Sequence, residues 1–285
     1  MIVWVTGASS GLGLHTARAL AKAGHTVIAG ARSFRAETAE GVHRLPLDVT
    51  DDGSVAAFRE AALGIAPRVD ALVQCAGLLV LASCEETSLD EYLRVMETNF
   101  LGMVRMNQAA LPLMRAAKNG RIVLFSSING LMGVPFQSAY AASKHAVEGY
   151  AECLAMETRP FGVQVCLVEP GDHRSGSDRY RLQGAAMNGA SPYAGSFRRG
   201  VAVIRRDEAD GSDPDRLGRK VAGLLARRRM PLRLCVADPV QHLAVALHRL
   251  LPGGWMARLM GMYYLGRGHK NISQDAEAAE RVHLR

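Results

Sequence analysis

No apolar run in the 285-residue sequence is long and uninterrupted enough to span a bilayer, because every hydrophobic stretch is short or broken by charges. The opening Met1-Ile2-Val3-Trp4-Val5-Thr6 lacks the basic region and cleavable apolar stretch of a signal peptide, so a soluble cytoplasmic protein is expected. Cysteines are few: Cys75, Cys84, Cys153, Cys166 and Cys235 show no paired metal-site spacing and are expected as reduced thiols, with no bound metal. Aromatics make up 6%, and none alternate with basic residues as a nucleic-acid platform requires. The formal charge of +7 is spread along the chain, with a compact run only at Arg227-Arg228-Arg229, so it favours an acidic ligand or surface without implying nucleic acid. Neither an internal repeat nor a fixed glycine period is present.

What remains is a globular composition, 48% hydrophobic and 21% charged. Apolar strand patterns at Ile2 to Thr6, Thr26 to Ala31, Val42 to Leu47, Val69 to Val73, Arg121 to Phe125, Val163 to Val168 and Leu232 to Val236 alternate with helical stretches. The helices are expected from Leu14 to Ala21, from Asp52 to Leu63, across Leu89 to Ala117 with a bend or division at Pro112, and from Ala139 to Thr158. Two more are expected, from Asp213 to Leu225 and from Val240 to Leu251. Such alternation predicts an α/β Rossmann-type, doubly wound, mostly parallel sheet with helices on both faces. A single domain over 1–267 is expected, with an extended lid at about 172–233 and a polar tail at 268–285.

The first strand runs into Gly7-Ala8-Ser9-Ser10-Gly11-Leu12-Gly13 and then a helix, the context a dinucleotide loop requires. Gly7 permits the turn, Gly11 the close approach of a diphosphate, and Gly13 tight helix packing, while the emerging amides around Ser9, Ser10 and Leu12 face the negative oxygens. The second strand ends in Arg32-Ser33, where an acidic residue would suit the ribose hydroxyls of NAD. A guanidinium pairs instead with a 2′-phosphate, so NADP(H) is expected. Asp48 and Val49 are placed to meet the adenine, and the small residues Cys75-Ala76-Gly77 could let the chain pass near the cofactor.

Ser127 follows a strand, and Tyr140 and Lys144, four apart, share one helix face. A phenol exchanges protons near neutral pH only where positive charge favours its ionised form. Lys144 and an oxidised nicotinamide would supply that charge, making Tyr140 a proton donor to a carbonyl oxygen that Ser127 orients and polarises. Lys144 would also hold the nicotinamide ribose.

These marks together resemble the classical short-chain dehydrogenases/reductases: Thr6-Gly7-Ala8-Ser9-Ser10-Gly11-Leu12-Gly13, Asp48, Cys75-Ala76-Gly77, Asn99, Ser127, Tyr140-Ala141-Ala142-Ser143-Lys144 and Pro170-Gly171. The resemblance covers about residues 2 to 265. It implies that Asn99 bends its helix, retains a water and links Lys144 to a proton relay. Cys75 stands where the family usually has Asn. Ser175 could replace the family's Thr after Pro170-Gly171, in contact with the carboxamide or diphosphate, although Asp172-His173-Arg174 makes that stretch unusually polar. For His173 a structural hydrogen bond stands beside a role towards a charged substrate.

The family implies reversible reduction of a ketone or aldehyde. The long segment after Gly171 and the cluster Trp255, Met256, Met260, Met262, Tyr263 and Tyr264 point to a medium or large, partly apolar substrate, similar to the steroid and retinoid branch. A homodimer or homotetramer through the regions Asn99 to Ala116 and Tyr140 to Thr158 is implied too. A redox-assisted epimerase and a noncatalytic NADPH-binding regulator remain as alternatives.

Overall fold

In a computed structural model, residues 1–176, 181–184 and 190–266 are described. The first half of the chain winds β1 (Ile2–Thr6), α1 (Gly11–Lys22), β2 (Thr26–Ala31), β3 (Glu37–Ala39), β4 (Val42–Pro46), α2 (Asp52–Ile65) and β5 (Ala71–Gln74). After the short β6 (Val80–Leu81) come α3 (Leu89–Met96), α4 (Gly102–Ala116), β7 (Gly120–Phe125), α5 (Ser138–Thr158) and β8 (Val163–Pro170). The remainder holds β9 (Leu182–Gln183), α6 (Ala194–Ala209), α7 (Pro214–Leu225), β10 (Arg233–Val236), α8 (Pro239–Leu250) and α9 (Gly253–Leu265).

Among the described residues the main sheet has the order β10-β8-β7-β5-β1-β2-β4-β3, parallel throughout except for β3, which runs antiparallel to β4. Val3 lies beside Val27 on one side and Ala71 on the other, so the strand order reverses direction at β1 and β5. A ligand crevice is expected outside the carboxyl ends of strands at such a switch point.

Alternation within the strands builds two cores. Trp4, Ile28, Leu72, Ile122, Leu124 and Leu167 face α2, α4 and α5, with Trp4 edge-on to Phe58 at 5.6 Å. Val3, Val5, Val27, Val73, Val123 and Val168 face α1 and α7 through Ala17, Leu20, Leu217 and Val221. Strands buried on both faces need apolar residues at consecutive positions, which is why they read as unbroken runs.

Three features depart from expectation. The Leu89 to Ala117 stretch divides not at Pro112, which lies inside α4, but at a π-helical turn over Glu97–Leu101 containing Asn99. A π turn adds a residue to the helical cycle and often accompanies a functional position. The expected lid at 172–233 includes α7, whose Leu217, Val221, Leu224 and Leu225 are buried beneath the sheet against α1, so that part is framework. The edge strand β3 and the two-residue parallel pairing of β6 with β9 were not expected. The expected polar tail at 268–285 lies outside the described residues.

Candidate active site

The sequence-predicted site residues converge at the carboxyl ends of β1, β2, β5, β7 and β8. Gly7 has φ of +67°, and a Cβ added there would fall 2.6 Å from the Ala76 Cα and N, so this turn and the Cys75-Ala76-Gly77 segment touch backbone to backbone. A Cβ on Gly13 would strike the Gly7 carbonyl oxygen, which explains how α1 can start so close behind the turn. Gly11, at φ of +53°, is different: a Cβ there would meet nothing nearer than Ser175, 3.8 Å away. Ser10 occupies the N-cap of α1 without a side-chain cap hydrogen bond, and no acidic residue stands in its first turn. Uncapped amides facing an open strip between Gly11 and Ser175 fit a dinucleotide diphosphate.

Arg32 and Ser33 are exposed just beyond β2. Asp48 accepts hydrogen bonds from the Thr50 amide at 2.9 Å and hydroxyl at 2.7 Å. Burial pushes its carboxyl up, but those bonds and the Arg32 charge outweigh it and leave the group below the usual carboxylate range. Val49 is buried against Gly102, where a Cβ would come within 2.7 Å of the valine.

Ser127 accepts a hydrogen bond from the Asn129 amide at 3.1 Å, and Asn129 is held by Gln137 at 2.7 Å. Tyr140 and Lys144 stand one turn apart on α5, the Lys144 Nζ 5.6 Å from the tyrosine ring centroid and donating to the Phe125 carbonyl at 2.7 Å. Burial pushes the Tyr140 phenol up to about 12, with the charges of Glu208 and Asp172 adding to it and a hydrogen bond with Ser127 opposing. Burial also pushes Lys144 down to about 8, against the pull of Cys75 and Glu148. Cys75 itself is a neutral thiol, raised by burial.

Asn99 is fully buried and clamps two parts of the site together. Its Oδ1 accepts from the Leu78 amide at 2.6 Å, and its Nδ2 donates to the Leu78 carbonyl and the Ser143 hydroxyl, each at 2.9 Å. The amide therefore ties the segment after Gly77 to the residue before Lys144; it makes no direct bond to Lys144 itself.

Beyond Pro170-Gly171, His173 is buried and its Nδ1 pairs with the Gly171 carbonyl at 2.8 Å, a structural bond. Asp172 is near enough for its charge to act on Tyr140. Burial raises its carboxyl to about 7, helped by the charges of Glu208 and Asp207 and opposed by a hydrogen bond from Gln241. Gln241 brackets this residue, accepting from the Asp172 amide at 3.1 Å and donating to its carboxylate at 2.5 Å. Gln241 lies on a helix remote in sequence, and its spacing gave no signal.

A second buried feature was also missed. Arg233 of β10 reaches Glu148 at 2.8 Å, Glu152 at 2.9 Å and Glu169 at 3.2 Å. Glu148 is one turn beyond Lys144 on α5, and Glu169 immediately precedes Pro170. Burial and the Glu148 charge raise Glu169 to about 7, against Arg233.

An apolar cluster joins Leu81, Phe136, Phe197, Val201 and Ile204, with Met260, Tyr264 and Leu265 of α9 packed on it; α6, which supplies three of these residues, also carries Glu208, whose charge acts on Tyr140.

Comparison with known proteins identifies the family. The family described as short chain dehydrogenase matches residues 1–184. A 3-ketodihydrosphingosine reductase of Bacteroides thetaiotaomicron is 38% identical over 263 residues, covering 92% of this chain and 97% of the relative. Dehydrogenase/reductase SDR family member 7B of Bos taurus is 32% identical, covering 88% of this chain and 78% of the relative. A short-chain dehydrogenase structure from Streptomyces avermitilis superposes with a TM-score of 0.76 at 31% identity, covering 94% of this chain and 98% of that one. The chain belongs to the short-chain dehydrogenase family, oxidoreductases that use a nicotinamide dinucleotide on a carbonyl or alcohol substrate.

Proposed function

We propose that the protein uses NADPH to reduce a ketone on a medium or large, partly apolar substrate, with a long-chain keto compound of the 3-ketodihydrosphingosine type as the first candidate. The carrying observation is that Tyr140 shares a hydrogen bond with Ser127 and has the Lys144 Nζ 5.6 Å from its ring centroid, and the apolar cluster around Phe136 and Phe197 supports a partly apolar substrate. The 38% identical relative of that printed name supports the substrate type.

Bound NADPH supplies the hydride. The Gly7 to Gly13 turn and Ser175 hold its diphosphate, Arg32 and Ser33 its 2′-phosphate, Asp48 and Val49 its adenine, and Lys144 its nicotinamide ribose, with Tyr140 and Ala76-Gly77 alongside. Ser127 donates a hydrogen bond to the substrate carbonyl oxygen. Tyr140 gives its phenolic proton to the same oxygen, and the Lys144 cation lowers the cost of the phenolate left behind. The same groups serve oxidation in reverse.

The proposal extends to a single domain over 1–267 and to a homodimer or homotetramer through the regions Asn99 to Ala116 and Tyr140 to Thr158, where Leu101 and Met156 are exposed. No helix among the described residues is long and apolar enough to cross a membrane. All five cysteines are free thiols, which supports a reducing, cytoplasmic setting.

The test is NADPH consumption against a carbonyl panel running from short ketones to long-chain 3-keto amino alcohols. Turnover rising with chain length supports the reading; turnover confined to small polar carbonyls overturns the apolar substrate. In the same assay Arg32→Ala is expected to raise the KM for NADPH about ten- to a hundred-fold, the range for losing a charge-assisted pair of about 1.5–3 kcal/mol. The KM for NADH should change little. Equal losses with both cofactors would remove Arg32 from 2′-phosphate recognition.

A further inference from the structure

The C-terminal helix pair has an outer face that nothing described in the fold covers. On α9, Trp255, Leu259, Met262 and Tyr263 follow helical spacing along one side and are 64, 41, 47 and 51% exposed. Its other side is apolar too, with Met256, Met260 and Tyr264 packed inward. Apart from Arg258 the helix is apolar on both sides, yet α9 is covered on one side only. On α8, Val240, Leu243 and Leu250 are 73, 59 and 79% exposed. The two helices turn Val245 and Met256 to one shared cluster with Met132, so their outer faces look away from it together.

Charge distinguishes among occupants. From Pro239 to Gly266 the chain carries no Asp or Glu, and its charged residues are Arg249 and Arg258, both exposed. Beside this face Arg206 lies over the Tyr263 ring, 5.8 Å from its centroid, and is paired with Asp207 at 2.8 Å, while α6 also exposes Arg198, Arg199 and Arg205. A second copy meeting this surface about a twofold axis would bring its cations against the same cations. An anionic phospholipid surface instead accepts both the apolar side chains and the arginines around them.

We propose that the outer face of α8 and α9 docks the protein peripherally on anionic phospholipid bilayers, with Trp255, Leu259 and Met262 entering the headgroup and acyl boundary and Arg249 and Arg258 pairing with phosphates. Because the inward side of α9 packs on the apolar cluster of Phe136, Phe197, Val201 and Ile204, docking sets that cluster next to the lipid. The inference rests on the surface alone and stands whichever substrate the site accepts.

The experiment is flotation of the full chain with vesicles of phosphatidylcholine alone or with about one-third phosphatidylglycerol, together with tryptophan emission and sedimentation velocity. Trp4 is fully buried, so a blue shift on binding reports Trp255. Wild-type protein is expected to float with the anionic vesicles, less so in high salt, and to blue-shift. Trp255→Ala/Leu259→Ser and Arg249→Glu/Arg258→Glu are each expected to weaken binding about ten-fold or more while melting like wild type. A wild type that stays in solution with both vesicles, or binding unaltered in both variants, overturns the proposal. So does an oligomer that dissociates in Trp255→Ala/Leu259→Ser, which would assign the face to a second copy.

Discussion

Tyr140→Phe is expected to lower the rate of carbonyl reduction by about 10²–10⁴-fold, the range for removing a positioned general acid, while leaving the NADPH dissociation constant within about two-fold. The substitution deletes one oxygen and keeps the ring beside Lys144, so a matched fall in cofactor affinity would mean that the hydroxyl serves binding rather than proton transfer. The pH profile gives an independent reading. With the Tyr140 phenol at about 12 and the Lys144 ammonium at about 8, the lysine loses its proton first as pH rises. Its neutral form no longer offsets the phenolate, so reduction by wild-type protein should decline above about pH 8. Lys144→Arg, which stays charged throughout, should move that decline upward. An unchanged alkaline limb in the arginine variant would assign it to another group.

Arg233→Met should destabilise the fold at neutral pH by about 3–5 kcal/mol, the cost of removing one partner from a buried ionic cluster, or on the order of 10 °C in Tm. Glu169 is 1% exposed and Glu148 nearly as buried, and the guanidinium is the cation that reaches both. The sign of the pH dependence follows from Glu169, whose carboxyl is raised from 4.5 to about 7 in the folded chain. Between those values the native state holds more protons than the unfolded one, so this group makes stability fall as pH rises through the window. Without Arg233 both carboxyls rise further and the window extends upward. The deficit of the variant should therefore be greatest above pH 7 and shrink towards pH 5. Thermal melts showing the same deficit at pH 5 and pH 8 would mean that these carboxyls are not ionised in the wild-type protein.

Residues that act through local pattern were legible in the sequence. Ile2–Thr6 and Thr26–Ala31 coincide with their strands because both are buried on two faces and need unbroken apolar runs. Asp51 caps α2 by accepting from the Ser54 amide. Tyr140 and Lys144 could be set on one helix face because four residues make nearly one turn. Elements without such a pattern were not legible. β3 is three residues long and mostly exposed, and β6 and β9 contribute two residues each, too few to show a period. The arginines of α6 at positions 198, 199, 205 and 206, with glycines at 195 and 200, obscure its buried Phe197, Val201 and Ile204. Pro112 was the visible breaker in its helix, yet it sits there without dividing it; the break follows Asn99, whose side chain is committed to Leu78 and Ser143 rather than to its own helix. Gln241 and Arg233 escaped notice because each finds its partners only after distant strands and helices are assembled.

The helix carrying Tyr140, the proposed proton donor, is moored at three points outside the loop that leads into it: Ser138 to the Tyr92 hydroxyl at 2.7 Å, Ser143 to Asn99, and Lys144 to the end of β7. That loop meanwhile contributes Met132, Val134 and Phe136 to the apolar clusters that α6, α8 and α9 pack on. A descendant of this protein could lengthen or resurface the stretch from 131 to 136 and admit a different molecule without having to retune its acid. Selectivity and chemistry can thus vary as separate inherited traits within one chain.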